Sequence, residues 1–225
     1  MTSNFPGPAP AVARVLIVDD HPIVREGLAM HLAAQPDLVV CGQAEDAPVA
    51  IALLASARPD LAVVDIALPS GNGLDLVRRL TGRPDPVRVL VWSMYPEHLY
   101  AERALRAGAM GYLNKGQATR HVLEAVRAIL QGKVHVSGGL TDQLLRRVVG
   151  RPAAETSPVD SLSDRELEAF RLIGEGLGTD AIAERMHVSP KTVDTFRARI
   201  KEKLGVRTMT QLIQRACQWV AETGS

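Results

Sequence analysis

Five side chains of this chain stand close behind short apolar runs, and their types could carry out phosphoryl chemistry. They are Asp19, Asp20, Asp65, Ser93 and Lys115. Carboxylates crowded into one crevice repel one another unless a hard cation lies between them, and Mg²⁺ prefers oxygen ligands. A metal-held carboxylate with an ammonium and a hydroxyl aimed at the same point is equipped to receive a phosphoryl group. Asp65 would supply the nucleophilic oxygen, because the Leu68-Pro69 and Gly73 that follow it predict a tight loop that leaves it exposed.

Each of these side chains also has an ordinary structural explanation. Two acids at a strand end can cap the helix that follows, a lysine behind a strand can be solvated, and Ser93 can be a plain loop hydroxyl. The combination is more specific, because these residue types occur together at strand ends and in this chain order. It favours a phosphoryl-accepting site.

The elements that must position these side chains lie between residue 14 and about residue 132. Short β-branched runs alternate there with longer amphipathic segments, which predicts βαβ units and a parallel sheet covered on both faces. Five such units form a doubly wound, flavodoxin-like α/β domain, for which 2-1-3-4-5 is a common strand order. Ligands bind beyond the carboxyl ends of such strands, so the five side chains should converge on one crevice. The predicted strands are Arg14–Val18, Leu38–Gly42, Leu61–Asp65, Val87–Trp92 and Met110–Leu113, and the predicted helices are Ile23–Ala34, Val49–Ala57, Gly73–Leu80, Glu97–Ala107 and Ala118–Leu130.

A second, all-α domain of four helices is predicted beyond a segment with the composition of a linker, from about Gly150 to Val159. Strand signals stop there and helix-start signals begin. These signals are a Ser163–Glu166 capping box, Thr179 as the N-cap of a short helix over Asp180–Met186, Ser189-Pro190 opening a helix to about Leu204, and a last helix from about Thr208 to Val220.

Two of these helices are separated only by residues 187–189, which is the spacing of a helix-turn-helix. On the second helix, small and polar side chains lie opposite an apolar stripe and are flanked by Arg and Lys, an arrangement that suits a DNA major groove. Between Ser189 and Arg215 there are seven basic residues against two acidic ones. An isolated helix of this kind would more simply be a solvated surface helix, but the short turn, the preceding helix and the local charge favour DNA binding. The DNA contacts are expected from Lys191, Thr192, Asp194, Thr195, Arg197, Ala198, Arg199 and Lys201.

The composition is that of an ordinary globular protein. The 26 Lys and Arg nearly balance the 25 Asp and Glu, giving a formal net charge of +1 that conceals the basic helix. No apolar run approaches the ~18 residues needed to cross a bilayer, and Met1 to Ala13 lacks the features of a secretion signal. The two cysteines, Cys41 and Cys217, are far apart in the sequence. We therefore expect a reduced, cytoplasmic protein with no membrane partner.

Both halves of the chain resemble known bacterial domains. The motifs Val15-Leu-Ile-Val-Asp-Asp-His, Asp65-Ile-Ala-Leu-Pro with Gly73, Ser93, and Gly111-Tyr-Leu-Asn-Lys115 resemble the receiver domain of two-component response regulators. The motifs Leu162-Ser-Asp-Arg-Glu-Leu-Glu, Ile182-Ala-Glu-Arg, Val188-Ser-Pro-Lys-Thr-Val-Asp-Thr and Lys203-Leu-Gly-Val resemble the LuxR-type DNA-binding domain. The whole chain thus resembles a NarL/FixJ-type response regulator. The expected division is a flexible N-terminus (1–13), a receiver domain (14–132), a linker with a possible helix (133–158) and a DNA-binding domain (159–223).

The resemblance implies a role for each residue of the acidic site. Asp65 would be phosphorylated from the phosphohistidine of a histidine kinase. Asp20, Asp65 and the Ala67 carbonyl would ligate Mg²⁺, with Asp19 acting mostly through water. Lys115 would pair with the phosphoryl group, and Ser93 would move to hydrogen-bond it.

The resemblance also implies a switch and a mode of output. Tyr112 matches the aromatic switch of the family, although it could equally be a half-buried strand residue. The C-terminal domain would bind promoter DNA, with a homodimer as the active form. The last helix, with Leu212, Ala216 and Trp219 on one face, often forms the dimer contact in this family, and packing onto the domain's own core is the alternative.

Some positions bear on rival functions. Asn114 and Ser93 differ from the commoner residues of the family without removing a needed group. Ala67 and Tyr95 flank the phosphoryl site, and neither is an acid or amide that would position water, so self-dephosphorylation should be slow. A phosphohydrolase would usually have a second acid at position 67, and a dinucleotide-binding enzyme would have Gly-x-Gly-x-x-Gly after the first strand. We therefore do not expect an enzyme beyond self-phosphorylation and slow self-dephosphorylation. A regulator that works only through protein contacts is the other rival, and the intact acids and Lys115 argue against it.

Overall fold

The computed structural model describes residues 12–69, 71–116, 120–141 and 158–223. Its N-terminal part is a five-stranded parallel sheet in the order 2-1-3-4-5, which confirms the predicted fold class and strand order. The strands are β1 (Ala13–Val18), β2 (Leu38–Ala44), β3 (Leu61–Val64), β4 (Arg88–Ser93) and β5 (Gly111–Asn114).

Five helices cover both faces of this sheet. Because side chains alternate along a strand, Val15 and Ile17 of β1 join one buried cluster, while Leu16 and Val18 join another on the opposite face. The first cluster packs under α1 and α5, and the second packs under α2, α3 and α4. The helices are α1 (Pro22–Ala33), α2 (Ala47–Ala57), α3 (Gly73–Thr81), α4 (Glu97–Arg106) and α5 (Arg120–Leu130).

A small hairpin shapes the loop that follows β3. Residues Ala67–Leu68 pair antiparallel with Gly71–Asn72, a feature that the sequence did not indicate. The Asn72 side chain then caps α3 by accepting a hydrogen bond from the Leu74 amide at 2.8 Å. Gly73 is required here, since a Cβ at this position would lie 1.9 Å from the Asp65 carbonyl oxygen. The loop is thus folded tightly against the end of β3.

The segment that follows α5 adds to the edge of the sheet. His135 forms a parallel bridge with Gly111, its amide donating to the Met110 carbonyl at 2.8 Å while its carbonyl accepts from the Tyr112 amide at 3.1 Å. Residues 138–141 form a helical turn in which Leu140 is buried. This stretch is the start of the predicted linker, whose residues 142–157 lie outside the described part of the chain, as do residues 1–11 of the predicted flexible N-terminus.

The C-terminal part is helical, with four helices after a short 3₁₀ turn at Pro158–Ser161. The capping box of Ser163 and Glu166 is confirmed. The predicted N-cap at Thr179 is wrong, because Gly178 takes the extended N-cap conformation and the helix begins at Thr179. The Thr179 hydroxyl instead accepts a hydrogen bond from the Arg197 guanidinium. The helices are α6 (Asp164–Gly174), α7 (Thr179–Arg185), α8 (Pro190–Leu204) and α9 (Met209–Thr223).

The turn between α7 and α8 has the geometry expected of a helix-turn-helix. His187 adopts a left-handed conformation (φ 51°) in the short connection between the two helices. Ser189 caps α8 by accepting from the Thr192 amide, with Pro190 at the first helical position, as predicted. None of the helices that the structure describes is long and apolar enough to span a membrane.

Candidate functional site

Acidic side chains gather at the carboxyl edge of the sheet. Asp19 and Asp20 directly follow β1, and Asp65 directly follows β3. Together with His21, each offers a ligand atom, and these atoms lie within 4.8 Å of one another. Because β1 and β3 are neighbours in the sheet, residues that are more than forty positions apart in the chain form one cluster. His21, whose Nδ1 lies 2.6 Å from an Asp20 oxygen, was not among the predicted site residues.

Lys115 lies among these carboxylates. Its Nζ is 2.6 Å from an Asp19 oxygen and 2.5 Å from an Asp65 oxygen, and all three side chains are at most 6% exposed. The prediction that the tight loop leaves Asp65 exposed is therefore wrong, because the loop at Gly73 packs against the Asp65 backbone and Lys115 contacts its carboxylate. Burial alone would lower the pKa of Lys115, but the two carboxylates outweigh it and raise the pKa overall. Burial also raises the pKa of Asp19, although Lys115 opposes this. The ammonium therefore remains charged where it can meet an incoming anion.

Ser93 and Ala67 complete the walls of the site. Ser93 ends β4, is 1% exposed and accepts a hydrogen bond from the Tyr95 amide at 3.4 Å. The Ala67 amide donates to Asp65 at 3.3 Å. With Asp20 and Asp65, both residues line a cavity of about 520 Å³. The structure thus brings together the predicted acids, hydroxyl and ammonium, as well as the hairpin residue Ala67.

Tyr112 lies deeper in the same region. It is fully buried rather than half-buried, and its hydroxyl donates to the Tyr95 carbonyl at 2.7 Å. The Asn114 side-chain amide donates to the same carbonyl at 3.0 Å. Burial raises the pKa of Tyr112 well above its usual value, so the hydroxyl stays a donor at neutral pH. Ser93 and Tyr112 therefore both bond to the backbone of Tyr95, which links the predicted phosphoryl-binding hydroxyl to the predicted switch residue.

The second helix of the helix-turn-helix presents a polar outer face. Val193, Ile200 and Leu204 are buried against the domain core and form the predicted apolar stripe, and Phe196 is partly buried. Among the predicted DNA contacts, the exposed residues are Lys191, Asp194, Thr195, Ala198 and Arg199, and the partly buried ones are Thr192, Arg197 and Lys201.

Arg197 differs from the other basic residues of α8. Its side chain is 16% exposed, and it bonds the Thr179 hydroxyl and lies 3.6 Å from an Asp194 oxygen. It therefore ties α8 to α7 inside the domain. Arg199, on the exposed face, is better placed to reach a ligand.

The last helix packs onto the core of its own domain. Leu212 and Ala216 are fully buried, and the Trp219 ring lies 5.5 Å from the ring of Phe170 in α6. Gly174 makes this approach possible, because a Cβ there would lie 2.4 Å from the Ala216 carbonyl oxygen. Ile213, on another face of α9, is 43% exposed.

Polar contacts between the two halves of the protein were not predicted. They join Asp164 and Glu168 of α6 to Arg78, Tyr95 and Arg103 of the N-terminal part. The residues in each pair are at least 61 positions apart in the chain, so no local pattern could reveal them.

Comparison with known proteins agrees with this geometry. Residues 15–127 match the family of response regulator receiver domains, and residues 160–216 match the luxR family of bacterial regulatory proteins. The chain is 36% identical over 200 residues to the DNA-binding transcriptional activator DevR/DosR of Mycobacterium tuberculosis, covering 89% of this chain and 92% of the relative. It is 33% identical over 199 residues to the response regulator GacA of Pseudomonas aeruginosa, covering 88% and 92%.

Solved structures show the same likeness. RcsB from Salmonella enterica serovar Typhimurium, solved bound to promoter rprA in the presence of the phosphomimetic BeF3−, is 25% identical with a TM-score of 0.59, covering 90% of this chain and 96% of that chain. A LuxR-family response regulator from Aurantimonas is 32% identical with a TM-score of 0.56, covering 62% of this chain and 99% of that chain. The chain therefore belongs to the LuxR family of two-component response regulators, in which a receiver domain is joined to a helix-turn-helix DNA-binding domain.

Proposed function

We propose that this response regulator is switched by phosphorylation of Asp65, which accepts the phosphoryl group of a histidine kinase, and that residues 159–223 then act on promoter DNA. The observation that carries this proposal is the convergence of Asp20, Asp65 and Ser93 on one cavity, with the Lys115 ammonium 2.5 Å from an Asp65 oxygen. We assign the receiver to residues 14–132 and the linker to 133–158. With DNA as its partner, the protein acts in the bacterial cytoplasm.

The transfer reaction needs one nucleophile and one leaving group. An Asp65 carboxylate oxygen forms the bond to phosphorus while the phosphorus–nitrogen bond of the phosphohistidine breaks, and the bonding electron pair returns to the imidazole nitrogen. Lys115 then pairs with the phosphoryl oxygens, which its position 2.5 Å from an Asp65 oxygen allows. The Ser93 hydroxyl moves to hydrogen-bond the new phosphoryl group and gives up its bond to the Tyr95 amide.

The donor set of the acidic cluster fits Mg²⁺. Its three carboxylates supply hard oxygen ligands within a small volume, which is what Mg²⁺ requires. Asp20, Asp65 and the Ala67 carbonyl would hold the ion, with Asp19 bonding through water. When bound, Mg²⁺ neutralises charge on the phosphoryl oxygens.

The phosphorylated site also determines how long the signal lasts. Ala67 and Tyr95 line the cavity with Asp65, and neither is an acid or amide suited to position a water molecule for attack. We expect the phosphoryl group to persist on the isolated protein for well beyond seconds. Loss of labelled phosphate within seconds in buffer with Mg²⁺ would refute this role for the two positions.

The DNA-binding role rests on the exposed face of α8. Lys191 and Arg199 supply charge for phosphates, while Thr195 and Ala198 are small enough to let the helix approach base edges. Asp194 is suited to accept from a cytosine amino group. The RcsB relative has been solved as dimers bound to DNA, and we propose that the phosphorylated form of this chain likewise binds as a homodimer.

The test is phosphoryl uptake by the full chain. We expect wild-type protein treated with acetyl phosphate and Mg²⁺ to show a phosphate-dependent mobility shift that Asp65→Asn abolishes. Asp85→Asn is the matched control, because Asp85 is an exposed acid outside the cavity. Uptake that survives in Asp65→Asn would disprove the assignment.

A second experiment tests the coupling to DNA. Genome-wide mapping of bound DNA should show fewer occupied promoters for Asp65→Asn than for wild type. Arg199→Ala should weaken binding in both states, because it removes a phosphate contact. Identical occupancy with and without Asp65 would show that phosphorylation does not control binding.

A further inference from the structure

Polar contacts dock the DNA-binding domain on the receiver, beside buried apolar side chains of both domains that belong to one cluster. Asp164, at the start of α6, accepts hydrogen bonds from Arg78 at 2.9 Å and from Arg103 at 3.0 Å. One helical turn further on, the buried Glu168 carboxylate accepts from the Tyr95 hydroxyl at 2.5 Å. Interfaces between domains of one chain generally resemble transient protein–protein interfaces, so we expect the docked arrangement to open.

The docking contacts lead directly to the phosphoryl site through Tyr95. Its backbone bonds Ser93 and Tyr112, while its hydroxyl bonds Glu168 of the other domain. The Arg171 guanidinium lies 4.9 Å from the centre of the Tyr95 ring. Arg171 belongs to α6, so a second residue of the DNA-binding domain contacts Tyr95. A change at Ser93 or Tyr112 therefore acts on a residue that also anchors the DNA-binding domain.

Helix α7 and the residues around it form a roof over the acidic cavity. The cavity of about 520 Å³ that contains Asp20, Asp65 and Ser93 is lined on its other side by residues of the DNA-binding domain. This roof consists of Leu177, Ala181, Glu184, Arg185 and His187.

The docked arrangement leaves the DNA-reading face uncovered. Lys191, Thr195 and Arg199 are exposed although the DNA-binding domain is docked. The receiver therefore does not mask these residues, and the part of the chain that is covered by docking is the phosphoryl site.

We propose that docking of the DNA-binding domain restricts which donors can phosphorylate Asp65, and that it does not restrict DNA recognition. A protein donor must bring its phosphohistidine to within about 3–3.5 Å of the attacking oxygen. It must also cover about 800 Å² of receiver surface around that point, and the roof occupies this space. A small phosphodonor such as acetyl phosphate fits in a cavity of this volume. The inference rests on the proposed role of Asp65.

The experiment uses full-length variants in which the docking contacts are removed either from the receiver or from the DNA-binding domain. Arg78→Ala/Arg103→Ala removes the receiver side of the contact, and Asp164→Asn removes the charge on the other side while keeping the side-chain volume. The matched control is Arg79→Ala/Arg106→Ala. It removes the same charge from the same two helices, where Arg79 is exposed and Arg106 bonds Glu102 within α4.

Phosphorylation is then measured with two donors. The small donor is acetyl phosphate, and the protein donor is a phosphorylated histidine phosphotransfer domain chosen because it transfers to the undocked variants. We expect both undocked variants to accept from the protein donor about tenfold faster than wild type or the control, and from acetyl phosphate within about twofold of them. Equal rates from the protein donor would overturn the proposal. Equal acceleration with both donors would also overturn it, because the variants would then have changed the reactivity of Asp65 rather than access to it.

A DNA-binding measurement tests the second half of the proposal, that docking does not restrict DNA recognition. The unphosphorylated proteins are titrated onto a mixed-sequence DNA duplex, and the undocked variants should match the control within about twofold. Binding by both undocked variants that is about fivefold tighter or more would show that docking does restrict DNA recognition. If the proposed function itself is wrong, the result differs: neither wild type nor the variants take up phosphate from acetyl phosphate, or Asp65→Asn still takes it up.

Discussion

Replacing Lys115 with methionine tests the electrostatics of the acidic cluster. The ammonium contacts Asp19 and Asp65 at 2.6 and 2.5 Å, and both carboxylates are 3% exposed. Removing one partner of a buried ion pair costs about 3–5 kcal/mol, because the remaining charge stays buried without compensation. With a urea dependence of about 2 kcal/mol per molar, the unfolding midpoint of the receiver should fall by about 2 M at pH 7.

The loss of stability in Lys115→Met should depend on pH. Burial raises the pKa of Asp19 and Lys115 opposes this, so without the ammonium the pKa of Asp19 in the folded state should rise further above its unfolded value. Protonation then favours the folded protein, so the loss of stability in Lys115→Met should be small near pH 4 and grow as the pH rises towards 7. Mg²⁺ should recover more stability in the variant than in wild type, because in wild type the ammonium competes for the same carboxylates.

Fluorescence of Trp92 reports on this domain, since its ring centre lies 5.7 Å from the Lys115 ammonium. Urea titrations in EDTA and in Mg²⁺ are made in a Trp219→Phe background, so that only Trp92 contributes. Lys133→Met, at an exposed lysine, is the control and should unfold like the parent. A Lys115→Met protein that is as stable as the control at pH 7 in EDTA would refute the reasoning.

Three further substitutions test other parts of the fold. Burial raises the pKa of Glu166, but hydrogen bonds from Lys203 and from Ser163 outweigh it, so the pKa is lowered overall. Glu166→Gln should therefore lower the free energy of unfolding in urea by about 1–2 kcal/mol at pH 7. The loss should become progressively smaller as the pH falls below about 4.5. Gly73→Ala should slow uptake from acetyl phosphate and lower stability by about 1–3 kcal/mol, because the added Cβ displaces the Asp65 carbonyl. Phe170→Ala should destabilise the C-terminal domain by about 3–5 kcal/mol, measured through Trp219 fluorescence, since this ring is fully buried.

The sheet and its acidic edge could be predicted because they follow from local patterns and one topological rule. Apolar runs located the five strands to within about two residues, and the strand order then brought Asp19, Asp20 and Asp65 together. The helix starts at Ser163 and Ser189 were equally clear, because capping depends on residues that are adjacent in the chain.

Features that depend on tertiary packing could not be predicted. Thr179 has the side chain of an N-cap, yet its hydroxyl is taken by Arg197 from the next helix, and the same contact turns Arg197 away from the exposed face. The bond between Tyr95 and Glu168 joins residues 73 positions apart in different domains. Neither periodicity nor spacing carries information about such pairs.

The bridge between His135 and Gly111 also bears on aggregation. An unpaired edge strand offers backbone donors and acceptors that can recruit another polypeptide. At β5 these groups are partly satisfied by the returning segment, and a Cβ at Gly111 would lie 2.7 Å from the His135 carbonyl oxygen. A bulky substitution at Gly111 should therefore displace the returning segment and expose the backbone groups of β5 to strand pairing with other molecules. The sheet would then have an unpaired edge at β5 in addition to the opposite edge at β2.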